Sequence, residues 1–254
     1  MKIVDDGSNL IQDLTGKKVL IYGGTGNVGE GMLRTYLKSN ALIIIPTRSS
    51  ESRDNFLELL GEEGQTDKLK FVVGDYTTFE GSEQMAKDIE GNFGEIDHVI
   101  ASIGGWWSGG PFWRVSEHAW NKQFIGLATS HAAIARAWIP RLGANSSYQI
   151  IAGGSGTHPV DGSGIVSMQQ ASLIMMAEVL ALEAEGKTRV FAFVLGVVDG
   201  RKRPQHKPHW ITAEQVGMVS GILASQEYLK SQVIHLKDKA ALPGLLDKLD
   251  IKGW

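Results

Sequence analysis

The sequence predicts an α/β protein with a doubly wound parallel sheet in a single domain. Apolar segments of strand length alternate with longer segments whose apolar residues recur at spacings of three and four, and several short segments are continuous valine and isoleucine runs. This alternation is typical of parallel strands whose connecting helices cover both faces of the sheet. In such a sheet the ligand crevice lies at the carboxyl ends of the strands.

The same patterns assign the individual elements in chain order. Strands are predicted over residues 18–22, 41–46, 69–73, 98–102, 148–152, 189–195 and 232–236. Helices are predicted over residues 27–39, 51–60, 80–92, 116–142, 165–185 and 212–224. Thr212 marks the start of the last helix, because Gln215 follows three residues later as in a capping box. The tail, residues 242–254, is interpreted as a short docking helix.

Length and composition indicate a single domain over residues 1–254. The chain has 254 residues with 43% hydrophobic content, and no proline-rich or serine-rich linker divides it. The absence of cysteine excludes disulfides and thiolate metal sites, and no metal site is predicted. Without an N-terminal apolar run we expect a cytoplasmic protein that is not bound to a membrane. The net charge of −3 gives no general attraction to nucleic acid, and the partner we expect is a small-molecule substrate.

The first strand leads into a glycine-rich segment that predicts a phosphate site. Gly24, Gly26 and Gly29 have the G-x-G-x-x-G spacing, which allows a sharp turn, a close approach of pyrophosphate and tight packing of the next helix. A helix that opens near Asn27 directs free N–H groups at that anion. A tight structural turn is the alternative interpretation. The residues predicted to contact the nucleotide here are Gly23, Gly24, Thr25, Gly26, Asn27, Val28 and Gly29.

The end of the second strand predicts which dinucleotide binds. A carboxylate at this place would hold a ribose 2′-hydroxyl, whereas an arginine accepts a 2′-phosphate. The sequence here is Pro46-Thr47-Arg48, so this position has a guanidinium group and no carboxylate. NADP(H) is therefore predicted in preference to NAD(H), the alternative being that Arg48 only caps a surface loop.

Six later segments carry further motifs, which in chain order are Val72-Val-Gly-Asp75, Ala101-Ser-Ile-Gly104, Ile150-Ile-Ala-Gly-Gly-Ser155, Gln170-Ala-Ser-Leu173, Leu180-Ala-Leu-Glu183 and Leu195-Gly-Val-Val198. Together with the glycine motif, they resemble the short-chain dehydrogenase/reductase family, which has the Rossmann fold. The resemblance implies that Asp75 and Tyr76 lie at the adenine. It also implies that the cofactor meets Ser102 and Gly104, and that Gly196 and Val198 belong to a turn over the nicotinamide. Family members often pair through two long helices, so a homo-oligomer, a dimer or a tetramer, is expected.

The chain departs from that family at the expected catalytic residues. Members typically carry Tyr-x-x-x-Lys after a serine, but no tyrosine lies between Tyr148 and Tyr228. Alignment on residues 180–183 puts Val166 and Gln170 in the two places, and alignment on the serine puts Met168 and Ser172 there. The family's helix asparagine is matched by Leu127. Ser155 alone remains as a predicted catalytic residue, with its register open toward Gly153.

Other groups are candidates for the missing proton donor and for substrate contacts. His158 and Asp161 follow Ser155 in a loop, and His131 lies one helical turn beyond Leu127. Trp106, Trp107 and Trp113 form a glycine-flanked aromatic loop that either borders an apolar substrate or packs internally. The basic cluster, formed by Arg201, Lys202, Arg203, His206, Lys207 and His209, is either a solvated loop or a contact for an anionic ligand.

Three functions remain open from the sequence. The favoured one is an NADP(H)-dependent oxidoreductase with an atypical active site, in which Ser155 polarises the oxygen of a small apolar or aromatic substrate. The second is a non-catalytic protein that binds NADP(H) as a sensor or as a partner-binding subunit. The third is a non-redox isomerase or cyclase on the same fold.

Overall fold

The computed structural model describes residues 10–251, which fold around one parallel sheet. The strands are β1 Lys18–Tyr22, β2 Leu42–Thr47, β3 Leu69–Val73, β4 His98–Ala101, β5 Ser147–Gly153, β6 Arg189–Leu195, β7 Val198–Asp199, β8 Ile211–Thr212 and β9 Gln232–Leu236. Seven of them form the main sheet in the order β3-β2-β1-β4-β5-β6-β9, and β7 pairs with β8 separately. The crossover from β3 to β4 places the switch point beside β1, which confirms the doubly wound sheet.

The helices cover both faces of this sheet. They are α1 Asn27–Leu37, α2 Ser50–Leu60, α3 Phe79–Phe93, α4 Glu117–Trp120, α5 Gly126–Trp138, α6 Gly164–Glu183, α7 Ala213–Ser225 and α8 Ala241–Lys248. One apolar core joins the sheet to α1, α2, α7 and α8. The other core joins it to α3, α5 and α6. The valine and isoleucine runs of the central strands are buried because helices lie on both sides of them.

The long helix predicted over residues 116–142 is interrupted in the structure. A π-helical segment, Asn121–Ile125, separates α4 from α5, and a 3-10 turn at Ile139–Arg141 ends the element. The N–H of Gly126 bonds to the Asn121 carbonyl, one residue further back than in an α-helix. Apolar spacing continues through this insertion, so the pattern predicted the helix but not the change in hydrogen bonding.

The C-terminal tail forms a helix, but its apolar side is used within the protein. Leu242, Leu245 and Leu246 of α8 are buried in the core that contains α1 and α7. The interpretation of this segment as a docking helix is therefore wrong for the residues of α8, because their apolar surface is already covered. Residues 252–254 of the same prediction lie outside the described residues.

One helix of the described chain, α6, is long and apolar enough to cross a membrane by length and composition alone. Leu173 and Ala177 on one side of it are buried in the core beneath the sheet. The helix packs along β5 and β6 of the main sheet, so it forms part of this domain.

Candidate functional site

The turn between β1 and α1 is a tightly packed glycine cradle, residues 23–29. Gly23 has φ +76°, and a Cβ there would lie 2.2 Å from the carbonyl oxygen of Ser102, at the end of β4. A Cβ on Gly29 would lie 2.1 Å from the carbonyl oxygen of Gly23. Both separations are far below van der Waals contact, so only glycine allows the strand end and the helix to approach this closely.

The open side of the cradle carries unpaired backbone donors. Gly26 is the N-cap of α1 and provides no side-chain cap, while its own N–H donates to the Gly23 carbonyl at 2.9 Å. Within residues 10–251, the hydrogen bonds give no protein acceptor to the N–H groups of Asn27 and Val28. Free N–H groups and the positive end of a helix suit a phosphate anion.

The ends of β2 and β3 bring Arg48, Asp75 and Tyr76 to the same edge of the sheet. Asp75 accepts hydrogen bonds from the Thr77 hydroxyl at 2.7 Å and from the Thr77 N–H at 2.8 Å. These bonds, chiefly the one from the hydroxyl, lower the pKa of Asp75, and the charge of Arg48 adds a smaller effect. Arg48 is exposed, so its guanidinium is open to a ligand. Tyr76 packs edge-on against Tyr22 with ring centroids 5.1 Å apart.

The end of β4 is held in place by His131 of α5. The Ser102 N–H donates to the Tyr22 carbonyl at 2.9 Å, and Gly104 follows with φ +152°. His131 Nε2 lies 2.9 Å from the Ile103 carbonyl oxygen, so this nitrogen carries the proton and donates. Burial lowers the pKa of His131 to about 4. The imidazole is therefore neutral near pH 7 and fixes the strand end, which disfavours its role as the proton donor.

Ser155 lies in a short turn at the carboxyl end of β5. The Gly153 N–H donates to Gln170 Oε1 at 2.6 Å, which ties this strand end to α6. A Cβ on Gly153 would lie 3.7 Å from Ser155 Oγ and 3.6 Å from Gln170 Oε1. The hydroxyl of Ser155 therefore lies close to position 153, which is the other position that the sequence left open for the catalytic serine.

The contacts of α6 distinguish the two alignments of this helix. Gln170 faces β5 through its bond to Gly153, and Val166, one turn earlier, is buried with 5% of its surface exposed. Met168 is exposed instead, and the Ser172 hydroxyl bonds to the Gln169 carbonyl of its own helix at 2.7 Å. The pair that faces the strand end is therefore Val166 and Gln170.

The loop after Ser155 meets the aromatic loop that follows β4. The Gly109 N–H and the Ser108 hydroxyl both donate to the Gly162 carbonyl, at 3.0 and 3.1 Å. His158, with Nδ1 3.0 Å from the Thr157 hydroxyl, and Asp161 are both exposed in this loop. The two loops together form one rim beside the carboxyl ends of β4 and β5.

Two of the three tryptophans in the aromatic loop are open to solvent. Trp106 is 62% exposed and Trp113 is 83% exposed. Trp107 is half-buried and lies against Gly109. The neighbouring Trp120 and Phe124 rings stack 4.5 Å apart. Trp106 and Trp113 thus present an uncovered aromatic surface at the rim.

Gly196, Val198 and the basic cluster extend the site beyond β6. A Cβ on Gly196 would lie 1.8 Å from the Lys237 carbonyl oxygen, and Val198 is buried in β7. The basic cluster then turns back toward the cradle, where Arg201 pairs with Glu30 of α1. In the described residues no group of three His, Cys, Asp or Glu side chains has the arrangement of a metal site.

The fold and this edge define a parallel α/β protein of the dinucleotide-binding type. The chain belongs to the short chain dehydrogenase family, whose model matches residues 17–209. This assignment confirms the resemblance drawn from the sequence.

The chain is also similar to individual proteins. An uncharacterized oxidoreductase, YvrD, of Bacillus subtilis is 27% identical over 174 residues, which are 67% of this chain and 64% of that protein's length, so slightly less than two thirds of this relative is covered. Among solved structures, a short chain oxidoreductase of Pseudomonas aeruginosa with an atypical catalytic center has a TM-score of 0.78 at 16% identity, covering 89% of this chain and 97% of the other. A metagenomic blue fluorescent protein in complex with NADPH also has a TM-score of 0.78, at 16% identity, covering 91% and 100%.

Sequence reasoning missed two contacts at this edge. One is the bond from Gly153 to Gln170, for which the only signal was that one of the two alignments puts Gln170 in the place of the family's lysine. The other is the approach of Lys202 to Thr25, which nothing in the local sequence indicated.

Proposed function

We propose that the protein is an NADP(H)-dependent oxidoreductase acting on a small apolar or aromatic substrate in the cytoplasm. The observation that carries this proposal is the glycine cradle with open N–H groups at Asn27 and Val28, next to Arg48 at the end of the neighbouring strand. Membership of the family, and the NADPH complexes known for two structural neighbours, support the choice of cofactor.

The residues present fit such a cofactor. The cradle has unpaired donors for a pyrophosphate, and Arg48 is an exposed guanidinium with the geometry to pair with a 2′-phosphate. Asp75 and Tyr76 would hold the adenine, whereas Ser102, Gly104, Gly196 and Val198 would border the nicotinamide. When bound, this cofactor would supply or accept the hydride of the redox reaction.

The protein's own groups would orient and polarise the substrate. The Ser155 hydroxyl can donate a hydrogen bond to a substrate oxygen, because the described residues give it no other hydrogen-bond partner. Gln170 would keep Ser155 in place through Gly153. Val166 has no proton to give, so we expect slow turnover, since general acid–base catalysis contributes roughly 10²–10⁴-fold.

Ser155 is tested by its alanine variant. With NADPH and a panel of aromatic and aliphatic aldehydes and ketones, Ser155→Ala should lower kcat by about a hundredfold, the usual effect of losing a donor to a developing oxyanion. The affinity for NADPH should not change. Absorbance at 340 nm measures the turnover, and Ser172→Ala is the matched control because that hydroxyl is bonded within α6. An unchanged kcat in Ser155→Ala would exclude Ser155 from catalysis.

Arg48 is tested by comparing two cofactors. Arg48→Ala should weaken NADPH binding about thirtyfold, the loss of a charge-assisted bidentate contact, while NADH binding changes little. Titration calorimetry measures both dissociation constants. Arg53→Ala is the control, since Arg53 lies on α2 and pairs with Asp54 at the surface. If the wild-type protein prefers NADH, the choice of NADP(H) is wrong.

The exposed aromatic surface supports the substrate class. Trp106 and Trp113 lie on the rim beside Ser155, and exposed indoles would bury a large apolar area against a ligand. Addition of aromatic carbonyl compounds to the NADPH-loaded protein should change tryptophan fluorescence. If no compound in the panel changes the fluorescence, that result would argue against a substrate contact at Trp106 and Trp113.

A second candidate function is a non-catalytic protein that binds NADP(H). The observation that favours it is the pair facing β5, Val166 and Gln170, which offers no titratable group. NADPH binding without turnover of any carbonyl compound would select this function.

We also propose a homo-oligomer, because Met175, Val179 and Leu182 expose an apolar stripe on α6. A monomeric mass measured by light scattering would exclude this proposal.

A further inference from the structure

The segment after β7, residues 200–203, lies directly over the opening of the glycine cradle. A Cβ on Gly200 would lie 2.7 Å from the side-chain oxygen of Asn27, so the Gly200 backbone packs closely against the Asn27 side chain. The Lys202 N–H donates to the same Asn27 oxygen at 3.0 Å. Lys202 Nζ donates to the Thr25 carbonyl oxygen, also at 3.0 Å. A basic residue about 175 positions away thus reaches the turn that precedes α1.

Arg201 anchors this segment to α1. Its guanidinium contacts both carboxylate oxygens of Glu30, with Nε 3.1 Å and 3.0 Å from Oε1 and Oε2. Glu30 stands in the first turn of α1, and its side chain is only 6% exposed. Arg34 of the same helix also pairs with this carboxylate, with Nη2 3.4 Å from Oε1, so two guanidinium groups share Glu30. Because Arg34 pairs with Glu63 as well, the two carboxylates balance the two guanidinium groups, and Arg201 is held by a partner within the protein.

Other members of the basic cluster are engaged away from the cradle. Arg203 Nε donates to the Val198 carbonyl, and its guanidinium lies 5.9 Å from the centre of the Trp210 ring. Lys207 also lies over Trp210, at 5.5 Å, and His206 bonds to Asp199 at 2.5 Å. Lys202 is the member of the basic cluster that lies at the cradle and, among the residues that the structure describes, has no carboxylate partner.

We infer that Lys202 is a pyrophosphate-binding residue, whose ammonium group completes the cradle formed by the N–H groups of Asn27 and Val28. An ammonium group has three donors, so it can keep the Thr25 carbonyl and still bond to a phosphate oxygen. The cradle supplies only partial charges, and a full positive charge beside it strengthens the attraction to an anion. This inference rests on the proposed dinucleotide binding and assigns Lys202 to the part of the ligand shared by NADPH and NADH.

The test compares nucleotides with and without a pyrophosphate. Lys202→Ala should weaken the binding of NADPH and of NADH by the same factor, about tenfold, which corresponds to the loss of one charge-assisted contact. The affinity for adenosine 2′-monophosphate, which has no pyrophosphate, should stay unchanged. Titration calorimetry at two salt concentrations gives these dissociation constants, and the salt dependence should be smaller in the variant.

Matched variants separate the charge of Lys202 from its structural bonds. Lys202→Arg should retain most of the affinity, and Lys207→Ala, which removes a cation of the same segment, should bind both dinucleotides like the wild type. Lys202→Gln, which keeps a side-chain donor for Thr25, should show the loss if charge is the cause. Circular dichroism and the melting temperature check that each variant is folded.

The outcomes distinguish this inference from the proposed function. Unchanged dinucleotide affinity in both Lys202→Ala and Lys202→Gln would overturn the assignment of Lys202 while dinucleotide binding stands. A selective loss of NADPH affinity, with NADH unaffected, would also overturn it, because that result would place Lys202 at the 2′-phosphate. If the wild-type protein binds neither dinucleotide at millimolar concentration, the proposed function itself fails.

Discussion

Gly29→Ala is expected to abolish dinucleotide binding. The added methyl group would lie 2.1 Å from the Gly23 carbonyl oxygen and 2.8 Å from the Gly24 Cα, both of them backbone atoms that cannot rotate away. The first turn of α1 must therefore move away from β1, and the N–H groups of Asn27 and Val28 lose their common direction. We expect the dissociation constants of NADPH and NADH to rise by about a thousandfold or more, equal to about 4 kcal/mol of binding free energy.

Gly91→Ala is the matched control for this substitution. Gly91 lies within α3, and nothing comes within 4 Å of a Cβ built there. Alanine at an open helical position should leave nucleotide binding unchanged and raise the free energy of unfolding by about 0.5–1 kcal/mol. Calorimetry with both dinucleotides and urea unfolding of both variants provide the comparison. Near wild-type affinity in a folded Gly29→Ala protein would mean that the cradle does not hold the pyrophosphate.

The main sheet could be predicted because its signals are local. Runs such as Val19-Leu-Ile and Ile43-Ile-Ile are buried on both faces, and such strands need no alternation with polar residues. The predicted bounds of β1, β3, β6 and β9 agree with the structure. The two-residue strands β7 and β8 were missed, since two residues carry no periodic pattern. The π-helical segment was missed because apolar spacing is nearly the same on either side of it.

The candidate site was predictable only where one chain segment forms it. The glycine cradle is formed by consecutive residues, and Arg48 directly follows a strand. The sequence could therefore predict that both lie at the carboxyl edge of the sheet. The bonds from Gly153 to Gln170 and from His131 to Ile103 join residues 17 and 28 positions apart. Each bond depends on how a helix packs against a strand end. Sequence periodicity predicts which face of the helix is buried, but not which side chain meets which backbone atom.

Two buried histidines are expected to make the fold sensitive to mild acid. His98 and His131 lie at the two ends of β4, and both are almost completely buried. Burial lowers the pKa of His98 to about 3 and that of His131 to about 4. Asp97 offsets part of the effect on His98, whereas Arg189 and Lys17 add to it. In the unfolded chain a histidine has a pKa of about 6.5.

The sign of the effect follows from proton counting. Below pH 6.5 the unfolded chain binds protons at these histidines and the folded protein does not, so stability is complete above that pH and is lost as the pH falls. At pH 5 the loss is about 2 kcal/mol for each histidine, or about 4 kcal/mol for the pair. The carboxylates with lowered pKa values, such as Asp75 and Glu83, contribute at more acid pH. Urea unfolding between pH 7 and pH 5 therefore isolates the histidines.

His131→Gln should remove about half of this pH dependence. Glutamine can still donate to the Ile103 carbonyl but binds no proton, so the variant should lose only about 2 kcal/mol between pH 7 and pH 5, where the parent loses about 4 kcal/mol. His118→Gln is the control, because His118 is exposed in the folded protein and its variant should follow the parent. A His131→Gln protein that destabilises as steeply as the parent would show that His131 takes up a proton without unfolding. That result would reopen the case for His131 as the proton donor beside Ser155, because a histidine protonated in the native state can deliver a proton at the end of β4.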